Sequence, residues 1–167
     1  MRESFGSIQK LTAQDQVDDF CCGRPELDIY LKRFALLNQK SGSAVTYVLK
    51  RGKTVIGFYS LAVGSVEHRT APPRVIKGLA RHPIPIMLLA RLAVSMGFQR
   101  QGVGQILLRD AIVRTAQAGD IAGIRALIVH AKDDETRNWY LAQGFYTSPT
   151  DPMHLFVLLK DIAVLLD

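Results

Sequence analysis

Gln99-Arg100-Gln101-Gly102-Val103-Gly104 is the stretch on which the reading of this chain turns. Upstream of it, an almost unbroken apolar run over 86–94 predicts a central strand buried on both faces. Downstream, Val103, Ile106, Leu107 and Ala111 recur at helical spacing, which predicts a helix over 102–118 with those four inward and Gly119 as its stop. Gly102 and Gly104 let the backbone between strand and helix approach a ligand closely. A helix start combines unsatisfied amide donors with the positive end of a dipole, so this turn suits a pyrophosphate, and Arg100 adds charge. Gly-x-Gly before a helix is equally a common tight turn. No Lys-Ser/Thr pair follows as in a P-loop, and the glycine spacing is not the full dinucleotide fingerprint, which argues against nucleotide hydrolysis and hydride transfer.

Working outward, a short strand is expected over 8–11, and Pro25 suits the first turn of a helix running to about Lys40 and closing at Gly42. Leu27, Leu31, Phe34 and Leu37 form its expected buried stripe, with Lys32, Arg33 and Lys40 off it. Strands over 44–49 and 54–66 pair antiparallel across a turn at Arg51-Gly52-Lys53. The proline-rich, basic stretch 67–85 allows only brief regular structure. A strand over 126–130, a helix over 135–143 capped by Asp133 or Asp134 and ended by Gly144, and a strand over 154–159 before a short tail complete the chain. The class is α/β with segregated elements (α+β): a mixed, mostly antiparallel sheet flanked by helices.

The length of 167 residues, with nothing that marks a linker or repeat, predicts one domain over 1–167. A hydrophobic fraction of 48% beside 22% charged residues excludes wholesale disorder, and the net charge of +6 favours polyanionic partners. Adjacent Cys21 and Cys22 build neither a disulfide framework nor a metal knuckle; they read as buried small side chains at a helix end in a reducing compartment. Met1-Arg2-Glu3-Ser4 lacks a signal-peptide plan, and the apolar run 84–94 is broken by Pro85 and Arg91 and too short to span a bilayer. A cytoplasmic protein with no membrane contact is expected.

The motif after its strand matches the GNAT pattern Gln/Arg-x-x-Gly-x-Gly/Ala. The likeness extends to Phe20-Cys21-Cys22-Gly23, Leu27, Leu31-Lys32, Asn38-Gln39-Lys40-Ser41-Gly42, Thr46-Tyr47-Val48, Pro83-Ile84-Pro85-Ile86-Met87-Leu88-Leu89 and Asn138-Trp139-Tyr140. Over nearly its whole length the chain resembles the acetyltransferase toxins of type II toxin–antitoxin modules, of the TacT and AtaT kind. One departure is Met96-Gly97-Phe98, apolar where a more polar link into the motif is expected. The resemblance implies a GNAT fold, acetyl-CoA as co-substrate bound at Gln99, Arg100, Gln101, Gly102, Val103 and Gly104, and acetylation of the amino group of aminoacyl-tRNA with arrest of translation. It further implies neutralisation by a ribbon-helix-helix antitoxin, contact with DNA only through that antitoxin, and a homodimer.

Acetyl transfer from a thioester to an amine needs a neutral nucleophile, a stabilised oxyanion and a proton for the departing thiolate. A free α-amino group titrates near ~7.7 to 8.0, so water can suffice as base. By resemblance, the backbone amides at Ala93 and Val94 serve the thioester oxygen, and a fixed donor there is worth about 3 kcal/mol in the transition state. Also by resemblance, Tyr140 faces the cofactor sulfur and protonates it; by propensity alone it is a core aromatic beside Trp139 and Phe145. Asn138 is open to the pantetheine arm or to solvent. His130 at a strand end is a conceivable base but reads as a satisfied sheet-edge histidine, and Glu67 and Glu135 are further conceivable bases. His68, His82 and His154 show no metal-ligand spacing, and no Gly-x-Ser-x-Gly elbow is present.

Two basic groups can meet tRNA phosphates: Lys32, Arg33 and Lys40 with Arg24, and Arg74, Lys77 and Arg81; each is equally a solvated face. Two other functions stay open beside the toxin reading. One is a GNAT enzyme acetylating a small amine or a protein N-terminus; the other is a non-enzymatic component of an antitoxin–DNA complex.

Overall fold

A computed structural model describes residues 5–79 and 81–162; the first four residues and the end of the expected tail lie outside them. The chain forms strand β1 (Gln9–Lys10), helix α1 (Pro25–Ile29), a π turn (Tyr30–Phe34), helix α2 (Ala35–Ser41), and strands β2 (Val45–Arg51) and β3 (Thr54–Val66). Helix α3 (Pro73–Ile76), strand β4 (Ile84–Val94), helix α4 (Val103–Ile121), strand β5 (Ala126–His130), helix α5 (Asp134–Ala142) and strands β6 (Tyr146–Thr147) and β7 (His154–Leu158) follow. The strand order is β1-β2-β3-β4-β5-β7-β6. β1–β2, β2–β3, β5–β7 and β6–β7 pair antiparallel, whereas β4 and β5 are parallel. A parallel pair needs a crossover, and α4 provides it. The mixed, mostly antiparallel sheet with helices is the expected architecture.

Internal contacts gather the chain into two compact units, one of the chain up to Ala62 with Ala90–Ala111, the other of Val63–Leu89 with the chain from Ile112 on. In the first, Phe20, Tyr30, Leu31, Val48, Phe58 and Ala93 form a buried cluster. Phe20 and Phe58 meet edge-on with ring centroids 5.4 Å apart, and the Arg91 guanidinium lies 3.6 Å from the centre of the Tyr30 ring. In the second unit, Val75, Ile84, Ile86, Ile128, Phe156 and Leu158 form the core. Ile86–Leu89 of β4 pair in parallel with Ala126–Val129 of β5. Among the described residues no helix is long and apolar enough to cross a membrane.

The N-terminal helix begins at Pro25 and closes at Gly42, whose φ of 79° needs no Cβ, as its sequence predicts. Its buried stripe differs. Leu27 and Leu31 are buried, but Phe34 is 49% and Leu37 61% exposed. The cause is the π turn: the Ala35 amide bonds back to the Tyr30 carbonyl, five residues away. That extra residue rotates the following face, so Ala35 takes the inward place expected of Phe34. Cys21 and Cys22 precede this helix rather than ending one. Cys21 is exposed; burial, with Asp28 nearby, pushes the Cys22 thiol up to about 11, so it stays an unreactive thiol.

Helix α4 also departs from expectation at two positions. Ile106, expected inward, is 44% exposed, because the buried stripe widens on the other side of Leu107 to Leu108 and Ile112. Gly119 does not stop the helix, which runs on to Ile121. It is instead a packing residue: a Cβ there would lie 2.7 Å from Leu159 Cδ1. Elsewhere β2 continues past Leu49 to Arg51 through a bulge at Leu49/Lys50, and the short β6 had no signal in the sequence.

Gly57 in β3 lies beneath the start of α4, where a Cβ would stand 2.9 Å from Leu107 Cδ1 and 3.5 Å from both Val103 Cγ1 and the Ala93 carbonyl. Since Leu107 is fully buried, it has no free direction in which to yield. Gly57→Val should therefore destabilise the fold by about 1–3 kcal/mol, as overpacked cores do. Thermal unfolding measures this, and a melting temperature equal to the parent's would refute the tight approach of α4 to β3.

Candidate functional site

In the first unit the turn between β4 and α4 is held by backbone and side-chain bonds. Past Val94, the Ser95 amide donates to the Ile56 carbonyl and the Met96 amide to the Cys21 carbonyl, both at 2.8 Å. A 3-10 turn over Met96–Phe98 then leads into the motif, so the apolar Met96-Gly97-Phe98 link forms a compact turn. Gln99 points back: its Nε2 donates to the Val94 and Cys22 carbonyls at 2.8 Å each. It thus ties the loop to the end of β4 and to the segment before α1, a bracing role that its sequence position did not reveal. Gln101 Nε2 donates to the Gly97 carbonyl at 3.3 Å.

Arg100 has φ 62°, the one non-glycine residue with positive φ among those described, and Gly102 follows with φ 82°. A non-glycine residue held there costs on the order of 1–3 kcal/mol, a strain that tends to collect at ligand sites. The Arg100 side chain is exposed. The first bond of α4 runs from the Ile106 amide to the Gly102 carbonyl at 3.1 Å. The amides of Val103, Gly104 and Gln105 therefore precede the intrahelical ladder, at the positive end of the helix. Gly102 is exposed and Gly104 half-buried, so backbone is presented where a side chain would otherwise stand. This donor set fits a pyrophosphate. Ala93 is buried and Val94 half-buried directly ahead of the turn. Lys32, Arg33 and Lys40 are exposed on the N-terminal helix, beside the outward Phe34 and Leu37.

The second unit holds Tyr140 on α5. Asp133 caps this helix by accepting the Thr136 amide at 2.8 Å, and Gly144 follows with φ 101°. Tyr140 is 4% exposed and meets Trp139 and Phe145 edge-on, with ring centroids 4.9 and 5.3 Å away. Burial drives its phenol well above the ordinary tyrosine range. A phenol keeps its proton at neutral pH with or without this shift, which makes it a weaker acid. Asn138 is exposed on the same helix.

Of the second basic group, Arg74 is engaged with Asp161 at 2.8 Å, while Lys77 and Arg81 are exposed. Glu67 holds Arg69 at 2.5 Å, and both are exposed. His130 ends β5 and stacks on His154 with ring centroids 4.0 Å apart. Among the described residues no group of three or more His, Cys, Asp or Glu side chains could hold a metal ion. Gly57 is the packing residue that lets the start of α4 approach β3; an isolated glycine in a strand was the available signal for close backbone approach.

A family model described as the acetyltransferase (GNAT) domain matches residues 42–147. A tRNA-acetylating toxin of Mycobacterium tuberculosis (strain ATCC 25618 / H37Rv) is 44% identical over 162 residues, covering 97% of each chain. Among solved structures, AtaT complexed with acetyl-methionyl-tRNAfMet has a TM-score of 0.90 at 26% identity, over 98% of this chain and 100% of that one. A tyrosine-to-phenylalanine mutant of the AtaT toxin, bound to the C-terminus of the antitoxin AtaR and acetyl-CoA, has a TM-score of 0.83 at 26% identity, over 98% of each chain. The parallel β4–β5 pair, the glycine turn and the uncapped amides of α4 are thus the local form of a shared fold, and the chain belongs to the GNAT acetyltransferase family, in the group of its toxins.

Proposed function

We propose that this protein transfers the acetyl group of acetyl-CoA to the α-amino group of an amino acid esterified to tRNA, and thereby stops translation. The observation that carries this reading is the 44% identity, over 97% of both chains, to a relative named a tRNA-acetylating toxin. The tRNA complex and the acetyl-CoA complex of AtaT support the same acceptor and donor. The reading takes 1–167 as one domain working in the cytoplasm. Its partners are a ribbon-helix-helix antitoxin, through which DNA is reached, and a second copy of the chain.

Acetyl-CoA supplies an activated acetyl thioester carried on a pyrophosphate-bearing arm. The amides at Gly102, Val103 and Gly104 and the charge of Arg100 hold the pyrophosphate, with Gln99 and Gln101 bracing the turn. Backbone amides at Ala93 and Val94 serve the thioester oxygen. Asn138 binds the pantetheine arm, and Tyr140 gives its proton to the leaving sulfur. The resemblance of Asn138-Trp139-Tyr140 to the toxins of this family supports that role. Lys32, Arg33, Lys40, Lys77 and Arg81 contact tRNA phosphates. Arg74 contributes less, since Asp161 already neutralises it.

Incubation with labelled acetyl-CoA and a panel of charged tRNAs should label the aminoacyl ester, and free amino acids should be poor substrates. Equal labelling of free amino acids would favour a small-amine enzyme. Tyr140→Phe removes one oxygen from a site whose packing is aromatic. Turnover should fall by about 10² to 10⁴-fold with acetyl-CoA affinity unchanged; parental turnover at saturating substrate would make Tyr140 structural. Gly102→Val places a β-branched residue at φ 82° and should abolish the rise in melting temperature that acetyl-CoA confers. Binding of charged tRNA should weaken steeply with salt, and Arg33→Glu or Arg81→Glu should flatten that slope while sparing acetyl-CoA affinity. A salt-independent affinity would remove the phosphate contacts.

A further inference from the structure

The second unit carries a pair of histidines with its own support. His130 and His154 occupy opposite positions of the antiparallel β5–β7 ladder, and their rings stack 4.0 Å apart at an interplanar angle of 19°. His130 is the last residue of β5 and is exposed to solvent. The chain is anchored directly behind it, since the Ala131 amide donates to the Met153 carbonyl at 2.8 Å. Asp151 is anchored too. Its Oδ1 accepts the Met153 amide at 2.9 Å, and its Oδ2 lies 3.4 Å from His154 Nε2. The result is a fixed series: backbone holds Asp151, Asp151 faces His154, and His154 supports one face of His130 while the other edge of that ring reaches water.

Two features of the fold bear on what such a ring can do. β5 is the parallel neighbour of β4, and His130 stands at the carboxyl end of β5. Only three residues, Ala131 to Asp133, then separate His130 from the helix that carries Tyr140. Burial first, and the neighbouring His154 second, lower the pKa of His130 from its ordinary value, against an opposing pull from Asp151. The ring is therefore neutral at cellular pH, with a lone pair available. The charged and titratable groups that bear on it are His154 from β7 and Asp151 from the turn before β7.

We infer that His130 is the proton acceptor for the incoming ammonium group, and that His154, steadied by Asp151, is the positioning residue that sets its orientation. The inference rests on the acyl-transfer reading above and adds a base to it. An α-amine with a reference pKa near ~7.7 to 8.0 is mostly protonated at pH 7, so removing that proton raises the reactive fraction. The steps balance as follows. The ammonium gives one proton to the free nitrogen of His130, and the amine lone pair forms the C–N bond to the thioester carbonyl carbon. The C–S bond breaks, and the sulfur takes the proton of Tyr140. The second proton lost from nitrogen restores the Tyr140 phenol, and His130 releases its own proton to water. One proton per acetyl group reaches solvent.

The test is the pH dependence of kcat on charged tRNA for the parent, His130→Gln and His154→Gln, with melting temperature and acetyl-CoA affinity measured for each. In the parent, the acid limb of kcat should fall below the ordinary histidine pKa of about 6.5. His130→Gln should move that limb up towards the amine's own value near ~7.7 to 8.0. It should also cut kcat at pH 7 by about 6- to 11-fold, the reciprocal of the amine's neutral fraction there, and recover most of it at pH 9. His154→Gln should shift the limb less, with His130 still in place. A His130→Gln enzyme that binds acetyl-CoA normally and keeps the parental limb and kcat overturns the inference while leaving the acyl-transfer reading intact. If His130→Gln does not fold, an unchanged limb in a folded His130→Asn enzyme overturns it equally. A parent that does not acetylate charged tRNA overturns both.

Discussion

The close approach of α4 to β3 is the constraint on which the first unit depends. Gly57 leaves no side chain between the strand and the helix, so Val103 and Leu107 reach the sheet at the first turns of α4. A helix that meets the sheet there must begin abruptly, directly after β4. The chain achieves this with two consecutive devices, a 3-10 turn over Met96–Phe98 and left-handed backbone at Arg100 and Gly102. The free amides that suit a pyrophosphate follow from this abrupt start, because the first bond of the helix is made only at Ile106. Gln99 then locks the turn against the end of β4, so the donors are arranged before any ligand arrives. Such prior arrangement lowers the ordering cost of binding.

The second unit shifts two titratable groups by burial. Tyr140 is enclosed by aromatic rings, and its burial raises the pKa of the phenol. His130 stands at the end of β5 against a second imidazole, and partial burial first and that imidazole second lower its pKa. Burial favours the neutral form of both groups, raising the pKa of the phenol and lowering that of the imidazole.

The π turn in the N-terminal helix has a different consequence. By inserting one residue it places Phe34 and Leu37 outward among Lys32, Arg33 and Lys40. The basic face is therefore also partly apolar. The half-buried Arg91 lies over the Tyr30 ring, its guanidinium 3.6 Å from the ring centre.

The sequence by itself determined the order and type of nearly every long element, and the reason is local. Glycines at 42, 52, 102 and 144 mark backbone that L-residues resist, the Asp133 cap is read three residues from its partner, and apolar runs mark the buried strands. The phosphate motif was legible because a helix start and two glycines are contiguous in the chain. Tertiary structure alone decided the rest. The inward face of the N-terminal helix depends on a bond between Tyr30 and Ala35 that helical periodicity does not anticipate. Gly119 resembles a stop signal, yet α4 continues because Leu159 occupies the space a side chain would need. The bracing by Gln99 joins residues 77 positions apart, and the pairing of His130 with His154 depends on the β5–β7 register. Periodicity reports which face a residue takes when the helix is regular and the neighbour unspecified; contacts between distant segments exist only once the sheet has set their register.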